Sequence, residues 1–154
     1  MRKTRLLFAA LLLVLGVTAL TLAATGTAAK QAAFKVAWIY VGPHNDAGWS
    51  RAHNDGRLYV QKALGSKVQT TFKENVPEGS QTCQVIESLI RDGNKMIFAT
   101  SFGFQTCMAS EAKKHPDVLF EQATGTLQSK NMAEYFGAGE DANYLAGISA
   151  GAAT

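Results

Sequence analysis

The chain predicts an α/β fold with a parallel sheet wound on both faces. Two features point there: short apolar runs rich in β-forming residues alternate with helical stretches, and the connections between the runs are long enough for helical crossovers. Residues 34–41 (Phe-Lys-Val-Ala-Trp-Ile-Tyr-Val) form the first run, stopped by Gly42-Pro43, and read as a buried strand. Residues 49–64 follow helical spacing, with Ala52, Leu58, Tyr59, Ala63 and Leu64 expected on the packed face and Gly65 ending the element. Residues 68–72 alternate as a second strand. Pro77-Glu78-Gly79-Ser80 is a turn, with Ser80 the expected N-cap of a helix whose apolar face is Val85, Ile86, Leu89 and Ile90.

Residues 96–100 (Met-Ile-Phe-Ala-Thr) give a third strand. A helix then runs from the 101–106 loop to His115, where Pro116 prevents its continuation. Residues 118–122 give strand four and residues 132–136 a weaker strand five. Asp141 opens a last helix rich in Ala and Gly.

The first 29 residues have a different character. Met1-Arg2-Lys3-Thr4-Arg5 carries three cations, an apolar stretch runs from Leu6 to about Ala24, and small residues follow to Ala29. Basic head, apolar middle and small-residue exit describe a secretory signal peptide, cleaved after Ala23, Ala24 or Ala29. The competing reading is an uncleaved anchor, since the run approaches the ~20 apolar residues that span a bilayer. The processing-site character of the exit favours the signal. An exported protein follows, on the extracytoplasmic face of the membrane, with residues 30–154 as one α/β domain.

The chain has 15 Lys+Arg and 12 Asp+Glu, a formal charge of +3. Arg2, Lys3 and Arg5 account for all of the excess, so the remainder is neutral. No basic face is left to recommend nucleic acid as a partner. Cys83 and Cys107 fall near the starts of the second and third helices, at one edge of the sheet. In an oxidising compartment they are either a disulfide or two small buried thiols.

In an open parallel sheet, ligands bind outside the carboxyl ends of the strands. Four loops meet that description: residues 42–49, 101–106, 123–126 and 137–141. They bring aromatics, a carboxylate, hydroxyls and permissive glycines to one edge. Aromatic faces can stack on a flat ring, and Asp and Ser can fix its polar rim. The bland alternative makes Trp49 and Phe102 simple closures of the sheet's end.

Several segments, in order and at matching spacing, carry a resemblance. They are Val41-Gly42-Pro43 with Asp46-Ala47-Gly48-Trp49; Glu74-Asn75-Val76-Pro77-Glu78-Gly79; Ala99-Thr100-Ser101-Phe102-Gly103-Phe104; Pro116-Asp117-Val118 with Phe120-Glu121 and Ala123-Thr124-Gly125; and Tyr144-Leu145-Ala146-Gly147. Together they resemble the Bmp (basic membrane protein) family of ABC-transporter substrate-binding proteins across residues 34–154. The resemblance implies a periplasmic-binding-protein-like fold of two α/β lobes, of which this chain has the first. It also implies a purine base or nucleoside as the small-molecule ligand, an ABC permease in the membrane as partner, and no metal or other cofactor.

Carried onto this sequence, the resemblance implies that Trp49 stacks on the base and Asp46 lies against its polar edge. Ser101, Phe102 and Gly103 form a second wall beside Thr124 and Gly125, and His53 faces either the cleft or solvent. Family members are about twice as long, so the sequence reads as a fragment or a truncated frame. Residues 30–154 alone are expected to bind weakly or not at all, because a single lobe cannot close.

Other signals are weaker. Gly137-Ala138-Gly139-Glu140-Asp141-Ala142 fits a dinucleotide fingerprint, but the position ~20 residues on, where an acidic residue would hold a ribose, lies beyond residue 154. His44, His53 and His115 have no metal-ligand spacing with the cysteines. The alternative function is an exported α/β enzyme acting on nucleosides or sugars, with Asp46 or Glu121 as general base.

Overall fold

The computed structural model describes residues 32–153; the signal-peptide reading of residues 1–29 lies outside them. The strands are β1 (Phe34–Ile39), β2 (Val68–Lys73), β3 (Met96–Ala99), β4 (Leu119–Ala123) and β5 (Met132–Tyr135). The helices are α1 (Trp49–Leu64), α2 (Ser80–Arg91), α3 (Gln105–Lys114) and α4 (Gly139–Ala152), with short 3-10 turns at Gly65–Lys67 and Phe102–Phe104. All strand pairs are parallel, in the order β2-β1-β3-β4-β5. The order reverses at β1, so the crevice of a doubly wound sheet opens between the loops that follow β1 and β3.

One face of the sheet is dry. Ala37, Ile39, Ile97, Ala99, Phe120 and Met132 pack against Ile86 and Leu89 of α2 and Met108 and Ala112 of α3, all at most 2% exposed. The alternation of Ala37/Ile39 with Trp38/Tyr40 sends the larger aromatics to the other face, where Val36, Trp38 and Tyr40 meet Phe72, Met96, Phe98 and Val60 of α1. Trp38 and Phe98 stack there with ring centroids 4.6 Å apart and planes 5° from parallel.

The packed face of α1 differs from the expected one. Leu58, Tyr59 and Leu64 are 48%, 72% and 45% exposed, and Ala52 and Ala63 are exposed too. The helix turns Ser50, His53, Asn54, Arg57 and Gln61 inward. These polar groups are tolerated because most find partners. Tyr40 OH donates to Asn54 Oδ1 (3.4 Å), Arg57 donates to Asn54 and to Thr70 Oγ1 (both 3.0 Å), and Gln61 bridges to Thr70 N–H and the Val68 carbonyl. The Arg57 guanidinium also lies 4.8 Å over the Phe72 ring.

Two boundaries shift for local reasons. Gly79 (φ 104°), not Ser80, caps α2, because the backbone there takes a conformation that only glycine adopts without strain. Thr82 closes the turn by donating its hydroxyl to the Pro77 carbonyl at 2.8 Å. The last helix begins at Gly139, two residues before Asp141, and is exposed along its length. Covering of the second face is therefore partial: α1 covers it near β1 and β2, while Leu119 of β4, which shares that face by register, stays 47% exposed. Among the described residues no helix is long and apolar enough to cross a membrane.

Candidate ligand-binding site

The β1 loop is folded around Asp46. Its Oδ1 accepts the backbone N–H groups of Gly48 and Arg51 (both 2.9 Å), and its Oδ2 accepts that of Ser50 (3.0 Å). One carboxylate thus satisfies three amides at the start of α1, where the helix dipole also favours negative charge. The amides of Arg51, Gly48 and Ser50 hold the Asp46 carboxyl down at about 2. Ala47 takes a left-handed conformation (φ 59°) to make the turn.

Trp49 opens α1 and reaches across the switch point, where its indole N–H donates to the Thr100 carbonyl at 2.5 Å. That bond pins the β1 loop to the end of β3 and leaves the residue 42% exposed. One turn on, His53 meets the Trp49 ring edge-on, with centroids 4.8 Å apart, and its Nδ1 lies 3.3 Å from the Tyr135 hydroxyl. Burial lowers the His53 pKa below its usual 6.5. Tyr135 is pushed up to about 12, by burial first and then by the charge on Glu121. His53 therefore lies within the half-buried chain Trp49–His53–Tyr135, inward of the helix surface.

The second wall is also tied together. Ser101 Oγ donates to Glu78 Oε1 at 2.5 Å, and Gly103 N–H donates to the same oxygen at 3.1 Å. The Glu78 carboxyl group occupies the place a Cβ at Gly103 would take, so a side chain there would push the carboxyl aside. Phe102 stands 56% exposed between them. In the β4 loop, Thr124 is left-handed (φ 66°) and takes its backbone N–H to the Tyr135 carbonyl. Gly125 closes over the Gln122 side chain, whose amide donates to the carbonyls of Ser101 (2.5 Å) and Ala123 (2.9 Å).

The sheet edge thus joins Asp46, Trp49 and His53 in one cluster and Ser101 and Gly103 in another, while Gln122 links the β3 loop to Thr124 and Gly125. Glu78, Gln122 and Tyr135 were not expected. Glu78 was legible in principle, because it follows β2 at the same carboxyl edge. Cys83 and Cys107 are joined as a disulfide with Cα atoms 4.9 Å apart, fastening α2 to α3, and Cys107 Sγ lies 3.3 Å from the carbonyl of Gly79, the residue after Glu78. A hollow of about 460 Å³ lies beyond β2, lined by Lys73, Asn75, Gln81, Gln84 and Ser88, and takes in none of the expected site residues. Among the described residues no three His, Cys, Asp or Glu side chains gather as metal ligands do.

Residues 33–154 match the family model described as Bmp, ABC transporter substrate-binding protein PnrA-like. The chain belongs to the Bmp family. A purine-binding protein of Brucella abortus is 43% identical over 123 residues, which cover 80% of this chain and 35% of that one. A Haloferax volcanii protein, provisionally named an ABC transporter glucose-binding protein, is 36% identical over 119 residues, covering 77% of this chain and 30% of that one. The chain thus spans about a third of the length of these Bmp-like relatives.

Among solved structures, an ABC transporter solute-binding protein from Conexibacter woesei superposes with a TM-score of 0.58 at 19% identity, covering 68% of this chain and 35% of its own. A transcriptional activator of the comK gene from Bacillus halodurans gives 0.56 at 22%, covering 66% and 33%. At such identities the likeness is one of fold alone.

Proposed function

We propose that this chain is the ligand-binding lobe of an exported receptor that captures a purine base or nucleoside and delivers it to an ABC permease. The observation that carries the reading is Trp49. Its ring stands at the switch point of the sheet, held by the Thr100 carbonyl, and is substantially exposed. A fixed, accessible indole suits a flat heteroaromatic ring, because stacking then costs little side-chain ordering. The 43% identity to a purine-binding protein supports the choice of ring.

In this reading the mechanism is equilibrium capture. Trp49 supplies contact area, the polar groups around Ser101 and Thr124 supply selectivity, and a second lobe closes over the ligand. The enzymatic alternative loses one of its two candidate bases and rests on the other, Glu121, whose pKa burial raises. A carboxyl held at about 2 by three amides, as Asp46 is, makes a poor general base near neutral pH.

The test is a fluorescence titration of the full-length protein with adenine, adenosine, guanosine and ribose. Trp38, 5% exposed and stacked on Phe98, serves as an internal reference. Saturable quenching by a purine, weakened about 10- to 100-fold in Trp49→Ala, is the expected result, from the known worth of base–aromatic stacking. Undiminished purine affinity in that variant removes the stacking site, and conversion of adenosine to free base during the titration favours the enzyme.

A further inference from the structure

Asp46, the carboxylate that the family resemblance implies beside the ligand, accepts three backbone amides. A second carboxylate on the same edge is held differently. Glu78 uses one oxygen, Oε1, to accept both Ser101 Oγ and Gly103 N–H. An oxygen that receives two donors has its lone pairs filled. Glu78 Oε2 has no hydrogen-bond donor among the described residues, and the residue is exposed.

The carboxylate also lies against the Gly103 backbone, in the place a Cβ there would take. The Cys83–Cys107 bond fastens the helix that follows Glu78 to the helix that follows Gly103. Asp46, a second carboxylate, lies in the loop after β1 at the same carboxyl edge of the sheet.

We propose that Glu78 is a specificity-determining residue of this site. Its Oε2 accepts a hydrogen bond from a neutral donor on the ligand, a ring amino group or a sugar hydroxyl, and its charge turns away phosphorylated ligands. Carboxylate acceptors form stronger hydrogen bonds than neutral ones, and a phosphate brought within a few ångströms of a carboxylate is repelled. The inference rests on the site proposed above but not on the ligand being a purine.

The decisive variant is Glu78→Gln. It retains a carbonyl oxygen for Ser101 and Gly103 and replaces the open acceptor with an NH2 donor. Calorimetric titrations of the full-length protein would use adenine, adenosine, adenosine monophosphate, glucose and glucose 6-phosphate. The wild type is expected to prefer the neutral member of each pair by about 100-fold or more. In the variant, neutral-ligand affinity falls about tenfold, and the preference shrinks below about tenfold. Glu78→Asp, which keeps the charge, is expected to keep the exclusion of phosphate.

A loss with adenosine but not adenine assigns the donor to a sugar hydroxyl, and a loss with both assigns it to the base. An unchanged neutral-to-phosphorylated ratio overturns the proposal, even if all affinities fall together, because Glu78 would then only brace Ser101 and Gly103. Failure of the purine reading appears separately, as wild-type binding of glucose without adenosine, and the glucose pair still measures the ratio.

Discussion

Against α2 and α3 the sheet presents a dry, interlocking surface, whereas under α1 it presents aromatic rings threaded with hydrogen bonds. On the dry face Ile39, Ile86, Ile97 and Met108 are completely buried and pack on one another. On the other face Tyr40, Asn54, Arg57 and Thr70 hold one another through directed contacts, and His53 and Tyr135 extend that arrangement to Trp49. Burial of apolar area is non-directional and supplies most of the stability. Hydrogen-bonded polar groups contribute less net energy but fix geometry. The dry face holds the lobe together, and the wet face sets where the Trp49 ring stands.

Three experiments would break or sharpen that contrast. The largest effect is expected from Phe120→Ala in the dry core, where the residue is 1% exposed. Loss of a buried aromatic there should cost about 3–5 kcal/mol in urea unfolding. A cost below about 1 kcal/mol would mean that this face is not what holds the fold.

Next in size is removal of the disulfide by paired Cys83→Ser and Cys107→Ser substitution. The bond spans 24 positions, and cross-links of that size stabilise by roughly 3 kcal/mol in chain-entropy models. Because it also fastens the helix that follows Glu78 to the helix that follows Gly103, its loss should weaken ligand binding as well as lower the melting temperature. Melting that drops with affinity unchanged would confine its role to stability.

The smallest effect is electrostatic and belongs to the wet face. Burial lowers the pKa of His53, so the folded lobe takes up that proton less readily than the unfolded chain. Its contribution to stability is complete above the ordinary value of 6.5 and is lost as pH falls through the lower folded value. Urea midpoints at pH 7.5 and 5.5 should therefore differ less in His53→Gln than in the wild type. Equal differences in the two proteins would place His53 in a solvent-like setting.

The elements themselves were legible because periodicity is local. The apolar run of residues 34–41, the Val85/Ile86/Leu89/Ile90 stripe and the stop at Pro116 each specify a strand, a helix or an ending within a few residues. The face of α1 was not legible. Ala52, Leu58, Ala63 and Leu64 formed the visible apolar pattern, yet the helix buries Asn54 and turns the half-buried Arg57 and Gln61 inward. Those side chains can go inward only because Tyr40, just past β1, and Thr70 and the Val68 carbonyl on β2 meet them there.

The site divides in the same way. Composition and spacing alone bring Trp49, Ser101, Phe102, Gly103, Thr124 and Gly125 to one edge of a parallel sheet, since any chain of this alternating pattern gathers its strand-end loops there. The strand order β2-β1-β3-β4-β5, the reach of the Trp49 indole to Thr100, and the choice of Glu78 over Asp46 as the carboxylate with an open oxygen were decided only in three dimensions. A hydrogen bond depends on tenths of an ångström between groups 23 to 51 residues apart, and no local pattern encodes a distance of that kind.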